Sequence, residues 1–333
     1  MTTAQHSEPR ETDDLSALPV SIADVFAARE RIMDHLHRTP LISSANLSAL
    51  SGKRVSFKAE NLQRTGSFKA RGALNALLTL SSEQRQRGVV TFSAGNHGAG
   101  IAFAASKLGI QSWIYMAKNA VPAKVDAIRG YGANVVFGET MDEAYAAMNR
   151  AIEEEGRFFV SPFDDAAVVA GQAVVALEIL EDAPDTEAIV VPIGGGGLVS
   201  GVSLVVKTVR PDITVVGVEP EGANAVTQSL AAGKPVRLSS NNTIADGLAA
   251  PFAGEITQAI ITRCVDRVVL VNDEDIREAM SAILTRTKLL AEPAGAAGYA
   301  ALATGKAGIA EGTKTVCILS GGNVSLDRLK SLL

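Results

Sequence analysis

Apolar and polar positions along the chain alternate between two periods. Positions 21–38 repeat apolar residues at helical spacing (Ile22, Val25, Ala28, Ile32, Leu36), with Ser21 placed to cap the helix and Pro40 to stop it. Positions 55–60 read as a strand and 68–80 as a helix. Four further strands are predicted at 89–93, 112–116, 134–138 and 157–161, separated by helices at 97–108, 122–130 and 141–155. The same grammar resumes with a helix at 167–180. Strands follow at 187–192, 213–219, 266–271 and 314–319, with helices at 198–208, 223–231, 273–289 and 294–304. Strands alternating with helices of this length predict an α/β fold with parallel sheets flanked by helices. Strand-rich blocks on both sides of a central one predict a small domain at 81–165, set within a larger one made of 19–80 and 166–333. Positions 1–18 carry Glu8, Arg10, Glu11, Asp13 and Asp14 and no apolar segment, and are expected to be a disordered, solvated tail.

Composition narrows the class. Of 333 residues, 47% are hydrophobic and 20% charged, which excludes a wholly disordered chain. The net charge of -5 offers no basic footprint for nucleic acid and no polybasic membrane patch. Positions 188–206 are uncharged, but Pro192 and the glycines at 194–197 break them, so they do not form one spanning helix. Cys264 and Cys317 stand far apart, so neither a disulfide framework nor a zinc site is expected. A cytoplasmic enzyme acting on a small molecule is the leading class.

Four segments could carry chemistry, each at a predicted strand end or helix start, where open parallel sheets bind ligands. Gly194, Gly195, Gly196 and Gly197 follow a strand and open a helix. Their N–H groups can converge on an anion, helped by the positive end of the helix. The spacing fails both the G-x-G-x-x-G fingerprint and the Walker A pattern, which leaves a compact phosphate. Lys69, in Thr65-Gly66-Ser67-Phe68-Lys69-Ala70-Arg71-Gly72-Ala73, stands at a helix start. There the macrodipole and an apolar neighbour favour the free amine that Schiff-base chemistry needs. Ser93-Ala94-Gly95-Asn96-His97-Gly98 opens another helix and suits a carboxylate. Ser320-Gly321-Gly322-Asn323 closes the last strand. Taken singly, each has a plainer explanation: a ligand-free glycine turn, a solvated lysine, a capping turn, a strand-end turn.

Taken together and in this order, with Ile244-Ala245-Asp246-Gly247 and Glu292-Pro293-Ala294-Gly295, they resemble the fold-type II pyridoxal-phosphate enzymes. More narrowly, the chain is similar to the threonine/serine dehydratase (threonine ammonia-lyase) and serine racemase group over about 20–333. The resemblance implies two open, twisted, mostly parallel sheets of the tryptophan synthase β type, with pyridoxal 5'-phosphate between the domains. Lys69 would hold the cofactor as a Schiff base and Phe68 would pack on it. Asn96 would bond the phenolic oxygen of the ring, and Gly194, Gly195, Gly196, Gly197 and Leu198 would hold the phosphate. Gly247 would approach the ring and Ser320 would face its nitrogen. Ser93, Ala94, Asn96 and His97 would receive the substrate carboxylate.

The implied reaction is dehydration and deamination of L-threonine or L-serine to 2-oxobutanoate or pyruvate plus ammonia. Racemases of this group carry a second serine where this chain has Ala94, which can neither give nor take a proton. Elimination is therefore expected over racemisation. The alternatives are a dehydratase of another β-hydroxy amino acid (hydroxyaspartate type), a serine racemase, and more remotely a non-catalytic nucleotide or phosphate binder. Uncharged Phe163 and Ala250, expected near the side-chain pocket, weigh against a second substrate carboxylate. No metal is expected: Glu219 and Ala223 match two ligands of the family's cation site, but Ala225 replaces the second carboxylate. A homo-oligomer, dimer or tetramer, is implied by resemblance. The chain ends about ten residues after Asn323, so no C-terminal regulatory domain and no feedback inhibition by isoleucine are expected.

Overall fold

Ten strands form two sheets in the computed structural model, which describes residues 15–333. The strands are β1 (Leu41–Ser43), β2 (Arg54–Ala59), β3 (Val89–Phe92), β4 (Ser112–Ala117), β5 (Asn134–Gly138), β6 (Phe158–Phe159), β7 (Ala188–Pro192), β8 (Thr214–Pro220), β9 (Arg267–Val271) and β10 (Lys314–Leu319). The larger sheet has the order β1-β2-β10-β7-β8-β9 and the smaller one β5-β4-β3-β6. Every pairing is parallel except β1 with β2, as connections through helices require.

Strand β7, central in the larger sheet, is apolar at every position because both faces are covered. Along β7, Ile189 and Val191 enter one core while Val190, between them, enters the other. In β10, Val316 and Ile318 take the first side and Cys317 and Leu319 the second. Period-2 geometry thus turns a continuous apolar run into two buried faces. The first core is filled by helices Lys69–Leu78, Ala166–Asp182 and Gly197–Val209, the second by Asp273–Thr287 and Pro293–Ala303. The smaller sheet is covered by Asn96–Leu108 and Pro122–Gly130 on one side and Met141–Glu155 on the other. Cys264 and Cys317 are buried and form no disulfide. Among the described residues no helix is long and apolar enough to cross a membrane.

Several expected boundaries shift. The first helix is Ile22–Ile32, with Ser21 capping it in a reciprocal box with Asp24. It ends well before Pro40, because the chain turns to bond elsewhere. The His37 N–H donates to Gln63 Oε1 (3.0 Å), and Arg38 reaches Glu181 and Asp182. The strand expected at 157–161 pairs only at Phe158–Phe159, since the Val160 carbonyl accepts from the side chains of Thr91 (2.9 Å) and His97 (3.1 Å). Of the expected tail, residues 1–14 lie outside the described part. Leu15–Ala17 form a short 3-10 helix and Leu18 is buried in the core. The pattern also passed over β1 and helices Ala45–Ser51, Ser82–Arg87, Glu255–Cys264 and Leu326–Leu332.

Candidate active site

The carboxyl ends of β3, β7 and β10 deliver Ser93, Gly194 and Ser320 to one crevice between the two sheets. A cavity of about 440 Å³ opens there. It is lined by Phe68, Lys69, Ser93, Ala94, Asn96, His97, Gly194, Gly195, Gly196, Gly197, Leu198, Gly247 and Ser320, every residue singled out from the sequence for cofactor or substrate carboxylate. Glu219 and Ala223 lie apart from it.

Lys69 is the first residue of helix Lys69–Leu78. Its neighbours are zipped to the last strand: the Phe68 N–H donates to the Ser320 carbonyl (3.1 Å) and the Gly322 N–H to the Gly66 carbonyl (2.9 Å). One turn on, the buried Arg71 bonds both oxygens of Glu60 and both of Glu178. Lys58 joins Glu178 at 2.6 Å. A guanidinium so clamped fixes the start of the helix that bears Lys69. Among the described residues, no carboxylate meets the Lys69 amine. It donates to the Pro162 carbonyl (2.6 Å) and lies 5.1 Å from the centre of the Phe68 ring. Burial without a counter-charge lowers its pKa to about 8.

The glycine turn leads into helix Gly197–Val209. Gly196 has φ +98°, a conformation closed to ordinary side chains, and a Cβ there would lie 2.9 Å from that of Thr257. A Cβ on Gly195 would collide with the Phe163 ring. The turn is therefore bare on its cavity side, with backbone N–H groups at the positive end of a buried helix. Thr257 holds it from behind, donating to the Gly195 carbonyl (2.8 Å).

His97 is buried and donates Nε2–H to the Val160 carbonyl (3.1 Å). Burial, then the charge of Lys69, lower its pKa to about 3, so the ring is neutral. Ser320 has a long hydroxyl contact, 3.4 Å to the Ala294 carbonyl. An uncharged hydroxyl, a cradle for phosphate, a lysine of lowered pKa and the amide of Asn96 in one cavity fit pyridoxal phosphate.

Sequence reasoning gave no role to Glu292, the Pro162 carbonyl, Thr257 or Lys124. Glu292 accepts from Asn96 Nδ2 (2.6 Å), and burial raises its pKa to about 7. Lys124 pairs with Asp246 at 2.5 Å. Glu292 stands in a quoted motif and could have been suspected, whereas a backbone carbonyl leaves no signal in a sequence. At the position that matches the family's cation site, Glu219 accepts from the Val226 and Thr227 N–H groups (2.8 Å each) and the Thr227 hydroxyl (2.6 Å), capping the helix Ala225–Ala232.

Comparison with known proteins agrees with this geometry. The model of the family described as "Pyridoxal-phosphate dependent enzyme" matches residues 32–321. An L-threonine ammonia-lyase of Geobacter sulfurreducens is 47% identical over 300 residues, covering 90% of this chain and 74% of the relative. The solved maize serine racemase superposes with a TM-score of 0.90 at 39% identity, covering 94% of this chain and 96% of that one. The processed form of threonine deaminase isoform 2 from Solanum lycopersicum superposes with a TM-score of 0.89 at 35% identity, covering 93% and 90%. The chain belongs to the pyridoxal-phosphate dependent enzymes and has their fold-type II architecture.

Proposed function

We propose that this protein is an ammonia-lyase that converts L-threonine and L-serine to 2-oxobutanoate and pyruvate, releasing ammonia. The observation that carries the reading is the buried, uncompensated amine of Lys69 in the same cavity as a bare glycine turn at a helix N-terminus. When bound, pyridoxal phosphate supplies a sink for the electron pair left at the substrate α-carbon. Lys69 would hold the cofactor, and its amine would serve as the base for the α-proton. Gly194, Gly195, Gly196, Gly197 and Leu198 hold the phosphate, Phe68 and Gly247 flank the ring, and Asn96 and Ser320 bond its oxygen and nitrogen. A serine hydroxyl, unlike a carboxylate, does not stabilise a proton on that nitrogen. That would weaken the sink and favour elimination of the β-hydroxyl, protonated as water, over proton exchange at the α-carbon. The loop carrying Ser93, Ala94, Asn96 and His97 receives the substrate carboxylate. The racemase reading needs an acid on the face opposite Lys69, and the methyl of Ala94 offers none. Uncharged Phe163 and Ala250 in the cavity wall favour a substrate with one carboxylate.

The same reading makes 81–165 a small domain beside the larger 19–80 and 166–333. It also makes the protein a cytoplasmic homo-oligomer, dimer or tetramer, with a free amino acid as its ligand and no nucleic-acid or membrane partner. The test is keto-acid release from a panel of amino acids. Threonine and serine are expected to give 2-oxobutanoate and pyruvate, and Lys69→Ala to abolish both along with the Schiff-base absorbance. Turnover of hydroxyaspartate alone, or of none of the panel, would reject the assignment.

A further inference from the structure

Asn323 ends the fourth motif, and its hydrogen bonds determine how a second residue faces the cavity. Its side-chain nitrogen donates to the Thr65 carbonyl and to Asn96 Oδ1, each at 2.7 Å. A main-chain carbonyl can only accept, so the Asn323 atom facing Thr65 is necessarily nitrogen. The second proton of that nitrogen points at Asn96, which is obliged to present its oxygen. The Asn96 nitrogen then faces the other way, and one of its protons goes to Glu292 Oε1 (2.6 Å). Glu292 is itself held, 2% exposed, with its N–H on the Gly321 carbonyl (3.1 Å). The remaining Asn96 proton has no partner among the described residues, and Asn96 lines the cavity with Lys69.

We propose that Asn323 is a positioning residue that locks the Asn96 amide so that an N–H, and not a C=O, is offered to the ring oxygen of pyridoxal phosphate. The inference rests on the role proposed above for Asn96. A phenolate oxygen only accepts hydrogen bonds, so a donor stabilises it and a carbonyl repels it. An asparagine without such a lock can turn its amide over and present either atom. The chain from Thr65 through Asn323 to Asn96 removes that choice before the cofactor arrives.

Cofactor binding to the apo protein tests this without reference to turnover. Asn323→Asp removes both donated protons and sets a carboxylate against the Asn96 oxygen, which works against the hold of Glu292 on the Asn96 nitrogen and lets the amide turn its oxygen toward the ring. Affinity for pyridoxal phosphate is expected to fall roughly 10- to 100-fold. The absorbance of the bound cofactor is expected to move from the band of the ring-oxygen anion toward that of the neutral hydroxyl. Asn323→Ser keeps one proton for two carbonyls and is expected to move both readouts less, in the same direction, with circular dichroism checking the fold. In an Asn96→Ala background, Asn323→Asp is expected to add no further change in the band ratio. Wild-type affinity and band ratio in both Asn323 variants, with Asn96→Ala alone altering them, would overturn the inference. An unaltered ratio in Asn96→Ala would overturn the ring-oxygen assignment beneath it, whereas absence of keto-acid release bears only on the lyase reading.

Discussion

A lysine amine in water keeps its proton until about pH 10.4 and cannot attack an aldehyde at neutral pH. Lys69 gives up its proton more readily, because burial removes water from the charged form and no carboxylate among the described residues replaces it. The sign follows directly: below about pH 8 the amine is protonated and inert, and above it the free base dominates. The rate at which apo protein captures pyridoxal phosphate is therefore expected to rise with pH and level off above about 8, as stopped-flow absorbance would record. An inflection near the ordinary lysine value would mean that the amine is solvated. On the reading proposed above, Ala94 decides a different matter at the same scale. Ala94→Ser places a hydroxyl beside the substrate carboxylate loop, where it can exchange a proton with the α-carbon. The ratio of racemised serine to pyruvate is expected to rise about tenfold or more. Chiral chromatography alongside keto-acid release measures it, and an unchanged ratio would remove Ala94 as the reason for elimination.

The glycine turn depends on an element that carries none of the motifs. Helix Glu255–Cys264 begins where Asp164 accepts from the Glu255 (3.1 Å) and Ile256 (2.8 Å) N–H groups. Thr257, fully buried in its first turn, donates to the Gly195 carbonyl and accepts from the Gly254 N–H (3.1 Å). Thr257→Val keeps the shape and leaves two buried backbone groups unpaired, at about 1–3 kcal/mol each. Cofactor affinity is expected to drop roughly 10-fold or more, with a lower melting temperature, in a titration of the apo protein followed by its cofactor absorbance. Unchanged affinity would show that the turn holds its own shape. This helix was not legible in the sequence, although Ile256, Ile260 and Ile261 are spaced for it. By contrast, 134–138, 141–155 and 122–130 coincide with β5, Met141–Glu155 and Pro122–Gly130, because each is bounded by a cap, a glycine or a proline. Local punctuation is readable, whereas an end set by a distant partner, such as Gln63 turning His37 away, is not.

At the scale of the whole molecule, sequence order says little about neighbours. β2 lies beside β10 across most of the chain, and that pairing brings Phe68 to Ser320 and Thr65 to Asn323. The four motifs named the cavity because each ends a strand or opens a helix. Which of them touch depends on strand order, which periodicity does not encode. Besides the bonds of Asn96, an ion pair joins the two sides of the crevice. Lys124, on helix Pro122–Gly130 against the smaller sheet, pairs with Asp246, next to Gly247 on the side of the larger one. Both line the cavity, and their side chains are 25% and 59% exposed. So exposed a pair contributes at most about 1 kcal/mol, which corresponds to about fivefold in an equilibrium. That suffices to bias how far apart the two sides of the crevice stand without altering the chemistry inside it. Lys124→Met is thus expected to raise KM for threonine about 2- to 5-fold and to leave kcat within about twofold. In the unaltered protein, salt screening should raise KM in the same direction, and the variant should have lost that sensitivity. A fall in kcat with KM unchanged would place Lys124 in the chemistry, not in the spacing of the crevice.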